Sequence, residues 1–239
     1  MLSVIIPTLN EEKYLPRLLT CLRNQTYADF EVIVADSNSI DKTIDTARKE
    51  DCRVIVGKNI TNPAMARNLG ASIAIGDVYL FLDADVHFSA TFIATMLREA
   101  EKKGVMIAIP FAKPVHRNII NTIIATTANV VSLLFQWFHP YGSGFCILVK
   151  KEVFQAVGGF DETIVLGEDA HFLRKARKLG KFRVLTQSAI GMSFRRFQKD
   201  GYFKMIVKMV HSTFLLIIIP GIKTKDKTIS YVFGHYDHK

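Results

Sequence analysis

One pattern limits what this chain can fold into more than any other. Through residues 1–110, short apolar runs alternate with amphipathic stretches, and several of the apolar runs stop abruptly in polar or acidic residues. "SVIIP" (3–7), "FEVIVAD" (30–36), "CRVIVG" (52–57), "VYLFL" (78–82) and "VMIAIP" (105–110) read as buried strands. Between them lie helical patterns. Residues 11–25 repeat Leu15, Leu18, Leu19 and Leu22, and residues 39–51 carry Asp41 as a plausible cap. Residues 62–76 place small side chains on one side, and residues 89–104 open on Ser89 as a cap. This alternation predicts an α/β fold with a mostly parallel central sheet and helices on both faces. In such sheets ligands bind beyond the carboxyl ends of the strands.

After residue 110 the regularity breaks. Residues 117–139 form a long, mostly apolar helical pattern, and 141–162 read as a Gly-rich turn, a strand, a short helix and a second turn. Residues 167–181 open a helix with Phe172, Leu173, Ala176 and Leu179 as its apolar stripe, "FRVL" (182–185) is a strand, and 198–219 reads as another helix. The expected division of the chain is a first part over 1–110, a second over 111–197 and a 198–239 basic amphipathic helix and tail. With 239 residues, 49% of them hydrophobic, the chain can bury a substantial core. Its three cysteines lack the spacing of a disulfide framework or zinc site and fit a reducing compartment, and residues 1–8 do not read as a signal peptide.

Three of the predicted strand ends carry hydrogen-bonding and acidic residues: Pro7-Thr8-Leu9-Asn10-Glu11, Asp36-Ser37-Asn38 and Asp83-Ala84-Asp85. Any one of them alone reads as a turn; three at one rim read as a site. No G-x-x-x-x-G-K-[ST] and no G-x-G-x-x-G follows the first strand, and its acidic loop would repel a polyphosphate. Asp83 and Asp85, two apart in extended backbone, point to one side and repel unless a cation sits near them. Hard oxygen donors select Mg²⁺ or Mn²⁺, with substrate phosphates completing the shell. D-x-D is a weak pattern by itself; its position at a strand end carries the inference.

Taken in order, residues 3–49, "ARNLGASIAIGDVYLFLDADV", "GSGFCILVKKEVFQAVGGFDE", "GEDAHFLRKARKLGK" and "SFRRF" resemble the family 2 glycosyltransferases over roughly residues 1–200. The resemblance implies a GT-A fold, a nucleotide-diphospho-sugar donor (UDP- or GDP-linked), a divalent metal and inversion at the anomeric carbon. By position it implies that Pro7, Thr8, Asn10 and Glu11 line the base and ribose pocket and that Asp36 accepts a hydrogen bond from the base. It further implies Arg67 near the donor phosphates, Asp83 and Ala84 beside ribose or metal, and Asp85 as principal metal ligand. Asp169 is the implied general base, with Glu168 beside it; from sequence alone these two acids equally suit a helix cap. Arg195 and Arg196 stand where the family often has a basic pair, meeting either the diphosphate or an anionic acceptor, or forming only part of the basic tail. The Q-x-x-R-W of processive synthases is missing.

The net charge of +9 is uneven: nine Lys/Arg against three acids in residues 194–239 put +6 there and leave +3 for the rest. Residues 202–219 combine Lys204, Lys208 and His211 on one face with apolar residues elsewhere, and 117–139 ends in Trp137-Phe138. Either segment suits the interface of an anionic leaflet, and either also suits a core helix or dimer contact. The expectation is a cytoplasmic enzyme, peripheral on the membrane face, with a glycan or polyprenyl-phosphate acceptor and no nucleic-acid partner. A nucleotidyltransferase and a non-catalytic sugar-nucleotide-binding protein are the competing readings.

Overall fold

A computed structural model of the chain describes residues 1–138, 140, 142, 144–204, 206, 207, 222 and 223, without the side chains of residues 165, 166, 196, 222 and 223. In chain order the elements are β1 (Leu2–Thr8), α1 (Leu15–Arg23), β2 (Phe30–Asp36), α2 (Thr43–Lys49), β3 (Arg53–Val56), α3 (Pro63–Ser72), β4 (Val78–Leu82) and α4 (Phe92–Lys102). They continue with β5 (Ile107–Pro114), α5 (Ile119–Phe135), β6 (Cys146–Lys150), α6 (Lys151–Val157), β7 (Ile164–Leu166), α7 (Glu168–Arg177), β8 (Phe182–Met192), α8 (Arg195–Asp200) and β9 (Ile222–Lys223). Seven strands form one sheet in the order β3-β2-β1-β4-β6-β5-β8, and β7 pairs with β9 apart from it. Only β6 runs antiparallel to its neighbours β4 and β5 in the large sheet.

The strand sequences explain the layering. Successive residues point to opposite faces, and both faces are covered. Val4 and Ile6 of β1 with Leu80 and Leu82 of β4 join one core beneath α1 and α4; Ile5, Tyr79 and Phe81 join the other beneath α6 and α7. That second core is aromatic: Phe81 meets Phe154 and Phe160, and Phe160 stacks on Phe172 at 4.4 Å between ring centroids. The division expected at residue 110 falls inside β5, and β6 sits between β4 and β5, so the sheet is continuous across the two halves.

Several expected boundaries moved. β5 runs on to Pro114 and β8 is much longer than "FRVL", because after a register shift Phe111–Pro114 pair with Ala189–Met192. The skipped residues are held by the buried Glu99 carboxylate, which accepts from the amides of Thr186, Gln187 and Ser188. α4 begins at Phe92, and its free amide at Ile93 donates to Gln25 Oε1 from α1's end; Ser89 is not its cap. Asp41 does serve the start of α2, accepting from the Thr43 amide and hydroxyl. Leu179, expected in the apolar stripe of α7, lies past its end and is exposed. The helix expected from residue 198 starts at Arg195 instead and breaks at Gly201, whose φ of +86° is left-handed. Most of that expected helix and the tail to residue 239 lie outside the described residues. Among the described residues no helix is long and apolar enough to cross a membrane.

Candidate active site

The loops leaving β1 and β2 are stitched to each other. Asp36, at the end of β2, is fully buried; its carboxylate accepts from the Thr8 hydroxyl (2.7 Å), the Ser39 amide (2.7 Å) and the Ser39 hydroxyl (2.7 Å). Asn10, in left-handed backbone at φ +56°, donates its amide to Ser39 and accepts from the Ile40 amide. Pro7 and Thr8 are buried in the same seam. These residues shape the rim, and three of the roughly four acceptor sites of the Asp36 carboxylate are taken by protein donors. Glu11 is the member of the loop whose carboxylate turns toward the site.

Arg67 of α3 is the hub. Only 3% exposed, it donates from Nη1 to Glu168 (2.8 Å) and from Nη2 to Asp83 (3.2 Å) and to the Gly144 carbonyl (3.3 Å), with its guanidinium carbon 5.3 Å from the centre of the Phe160 ring. Burial opposes its charge, but Asp83, Glu168 and Asp169 together outweigh burial and raise its pKa. Two acids on remote elements, one after β4 and one opening α7, are thus fixed by one side chain. Gly144 belongs to this cluster for lack of a side chain: a Cβ there would sit 2.9 Å from Arg67 Nη2 and 3.0 Å from the Asp169 Cβ.

Glu168 and Asp169 open α7 after Gly167, which takes left-handed backbone at φ +78°. Asp169 accepts from the amides of Ala170 and Gly144. Burial, then the Glu168 carboxylate, push its pKa up to about 7, against the opposing pull of Arg67. That places a carboxyl able to exchange a proton near neutral pH at the inner edge of the rim.

Arg195 of α8 closes the other side. Its Nη1 and Nη2 donate to the two oxygens of Glu11 at 3.0 and 2.8 Å, and its Nε lies 3.0 Å from Asp85 Oδ2. The guanidinium also covers the Tyr14 ring at 4.5 Å. Burial raises the pKa of Glu11; Arg195 opposes this, while Asp85 and then Asp83 add to it. The three acids are therefore close enough to repel one another. The Arg196 side chain lies outside the described residues.

The two D-x-D carboxylates do not share a direction as extended backbone would give. β4 ends at Leu82, residues 84 and 85 form a turn with Ala84 buried, and Asp83 faces Arg67 while Asp85 faces Arg195. Among the described residues no three His, Cys, Asp or Glu side chains are gathered as a metal-binding group. The donor chemistry nevertheless fits a hard divalent cation. Five carboxylates (Glu11, Asp83, Asp85, Glu168 and Asp169) surround two guanidiniums among the described side chains, and the Arg195 guanidinium itself stands in as the cation between Glu11 and Asp85. Tyr14, Gly144 and Phe160 are the participants sequence reasoning missed. The glycine pair in "GSG" is the one signal for Gly144, as a Gly-rich turn and as part of the stretch that carries the resemblance.

The family model for glycosyl transferase family 2 matches residues 3–158. An uncharacterized glycosyltransferase of Haemophilus influenzae is 31% identical over 191 residues, 73% of this chain and 61% of that protein. The 4,4'-diaponeurosporenoate glycosyltransferase of Staphylococcus haemolyticus is 25% identical over 82% of this chain and 52% of that one. The chain therefore spans little more than half the length of these relatives. Among solved structures, S. aureus TarS 1-349 in complex with UDP superposes with a TM-score of 0.65 at 24% identity, over 80% of this chain and 60% of that one. The Pyrobaculum calidifontis mannosyltransferase PcManGT in complex with GDP-Man and Mn2+ gives a TM-score of 0.63 at 22% identity, over 80% and 56%. The likeness to both is one of fold, the GT-A arrangement.

Proposed function

The chain belongs to glycosyl transferase family 2, and from that premise we propose that it is an inverting transferase moving a hexosyl group from a nucleotide-diphospho-sugar to an acceptor hydroxyl. One observation carries this reading. Arg67 ties Asp83, on the strand-end rim where donors bind in such folds, to Glu168 and to the Gly144 backbone that holds Asp169. Donor-side and acceptor-side carboxylates thus belong to one site, consistent with residues 1–110 serving the donor and 111–197 the acceptor.

Asp169 is the general base in this reading. As the acceptor oxygen forms its bond to the anomeric carbon and the bond to the diphosphate breaks, the acceptor proton passes to the Asp169 carboxylate. An acceptor phosphate arrives already ionised and needs no base; a carboxyl tuned toward neutrality favours a hydroxyl, on a glycan or on a lipid. Asp85, with Asp83 beside it, would hold Mg²⁺ or Mn²⁺, which supplies charge to offset that growing on the leaving diphosphate. Arg67, buried among acids, acts as a positioning residue for Asp83 and Glu168. Arg195 is placed to exchange Glu11 and Asp85 for phosphate oxygens once the donor arrives. The rim of Pro7, Thr8, Asn10 and Asp36 shapes the base and ribose pocket.

Incubation with labelled UDP- and GDP-sugars and Mn²⁺ tests the reading. Release of nucleoside diphosphate is the expected result. Release of pyrophosphate would instead identify a nucleotidyltransferase, and binding without turnover a non-catalytic sugar-nucleotide-binding protein.

A further inference from the structure

Helix α5 is built inside out. Asn121, Ala125, Asn129, Ser132 and Gln136 recur every three or four residues and face the body of the protein. Their polar groups serve backbone there: Asn129 both accepts from and donates to the Ala112 peptide, Asn121 donates to the His116 carbonyl, and Gln136 accepts from the Val184 amide. On the opposite side stand Ile119 (79% exposed), Ile123 (59%), Val130, Leu134 (66%) and, just past the helix, Trp137 and Phe138 (85%). A water-facing helix carries the reverse polarity. A further exposed aromatic lies in the segment that packs on the inward row of α5. Tyr202 donates to Asn121 of the inward row and meets Phe197 with ring centroids 5.8 Å apart, and Phe203 next to it in the chain is 82% exposed.

Charge selects the occupant. Residues 113–138, which span the helix and its approaches, hold Lys113 and Arg117 and no Asp or Glu. Arg117 directly precedes the helix, and Arg183 lies over Trp137 at 3.7 Å at its far end. An apolar stripe with a tryptophan at one end and cations at both matches the boundary between headgroups and acyl chains of an anionic leaflet. An isologous protein contact would set this cationic rim against itself.

We propose that the outer face of α5 is a docking surface for an anionic lipid bilayer. The same helix braces the candidate site with its other face: Ala125 packs with Phe194 and Phe197 in one cluster, and these flank Arg195, the residue that pairs with Glu11 and Asp85. A bilayer seated there brings a lipid-borne acceptor to the rim without a spanning helix. Interface docking stands or falls separately from transfer chemistry.

Trp137 is the chain's single tryptophan, so its fluorescence reports on this surface alone. The full chain is titrated with vesicles of zwitterionic lipid, and of the same lipid doped with phosphatidylglycerol, with and without brominated acyl chains. The expected result is a blue shift and bromine quenching with the anionic vesicles, weakened by salt. An I123E/L134E variant is expected to fold, since both side chains are exposed, and to bind the vesicles more weakly by about tenfold or more. Unchanged Trp137 emission with anionic vesicles overturns the proposal. So does equal vesicle binding by the variant, or a wild-type dimer that the variant converts to monomer without any vesicle binding.

Discussion

In the proposed reading the chemistry turns on Asp169 and Arg195, and each makes a measurable prediction. For Asp169 the amide isostere removes the base and keeps the shape. D169N is expected to lower kcat by about two to four orders of magnitude with donor affinity, read by calorimetry, nearly unchanged. In the wild type, activity is expected to rise with pH and level off above about 7, as the carboxyl whose pKa burial and Glu168 raise to about 7 loses its proton. The stability sign is opposite. Because the folded pKa lies above the ordinary 3.8, folding favours the protonated form, and stability from this group is lost as pH rises from about 4 to about 7. D169N should therefore melt higher than wild type at pH 8 and lose that advantage near pH 4. For Arg195, R195A leaves Glu11 and Asp85, 13% and 16% exposed, without its guanidinium. The expectation is tighter binding of Mn²⁺ in the absence of donor, seen by electron paramagnetic resonance, together with a thermal destabilisation that Mn²⁺ restores.

At the scale of elements, the site depends on loops being brought together rather than on any one of them. The strands themselves were legible: continuous Val, Ile and Leu in β1, β2 and β4 left few alternatives to a doubly covered parallel sheet. Element ends were less so. Nothing near Ser89 reveals that Gln25, from the loop after α1, satisfies the amide of Ile93, and nothing in "FRVL" reveals that Glu99 holds the next three residues so that β8 resumes pairing beyond them. The Gly144 loop is the clearest case. Its sequence reads as a turn, yet its role is to let Arg67 and Asp169 approach across a gap that admits no side chain. G144A is expected to reduce kcat by about tenfold or more while shifting the melting temperature less, because the added methyl displaces the polar Arg67 and Asp169 groups of the site rather than any apolar core layer. Comparing kcat with thermal melting checks the split.

At the scale of the molecule, the acidic rim, the family and the GT-A fold follow from order along the chain: apolar runs of strand length, helical periods between them, and acids at the strand ends. Period and polarity are local properties, so local sequence determines them. Which acids meet which cations is not local. Glu11 and Arg195 are 184 positions apart, Arg67 and Glu168 are 101 apart, and their pairing exists only because the sheet sets β1 and β4 side by side with α7 and α8 over one end. The same holds for α5. Its composition reads equally as a core helix or an interfacial one, and the sequence left that choice open. Burial of Asn121, Ser132 and Gln136 decided which face turned outward, because backbone groups of neighbouring segments needed partners there and apolar side chains supply none. Sequence determined the elements and the kind of chemistry at their ends; only tertiary packing decided the ion pairs, the tuned carboxyl and the apolar face that α5 turns outward, since each depends on distances between residues remote in the chain.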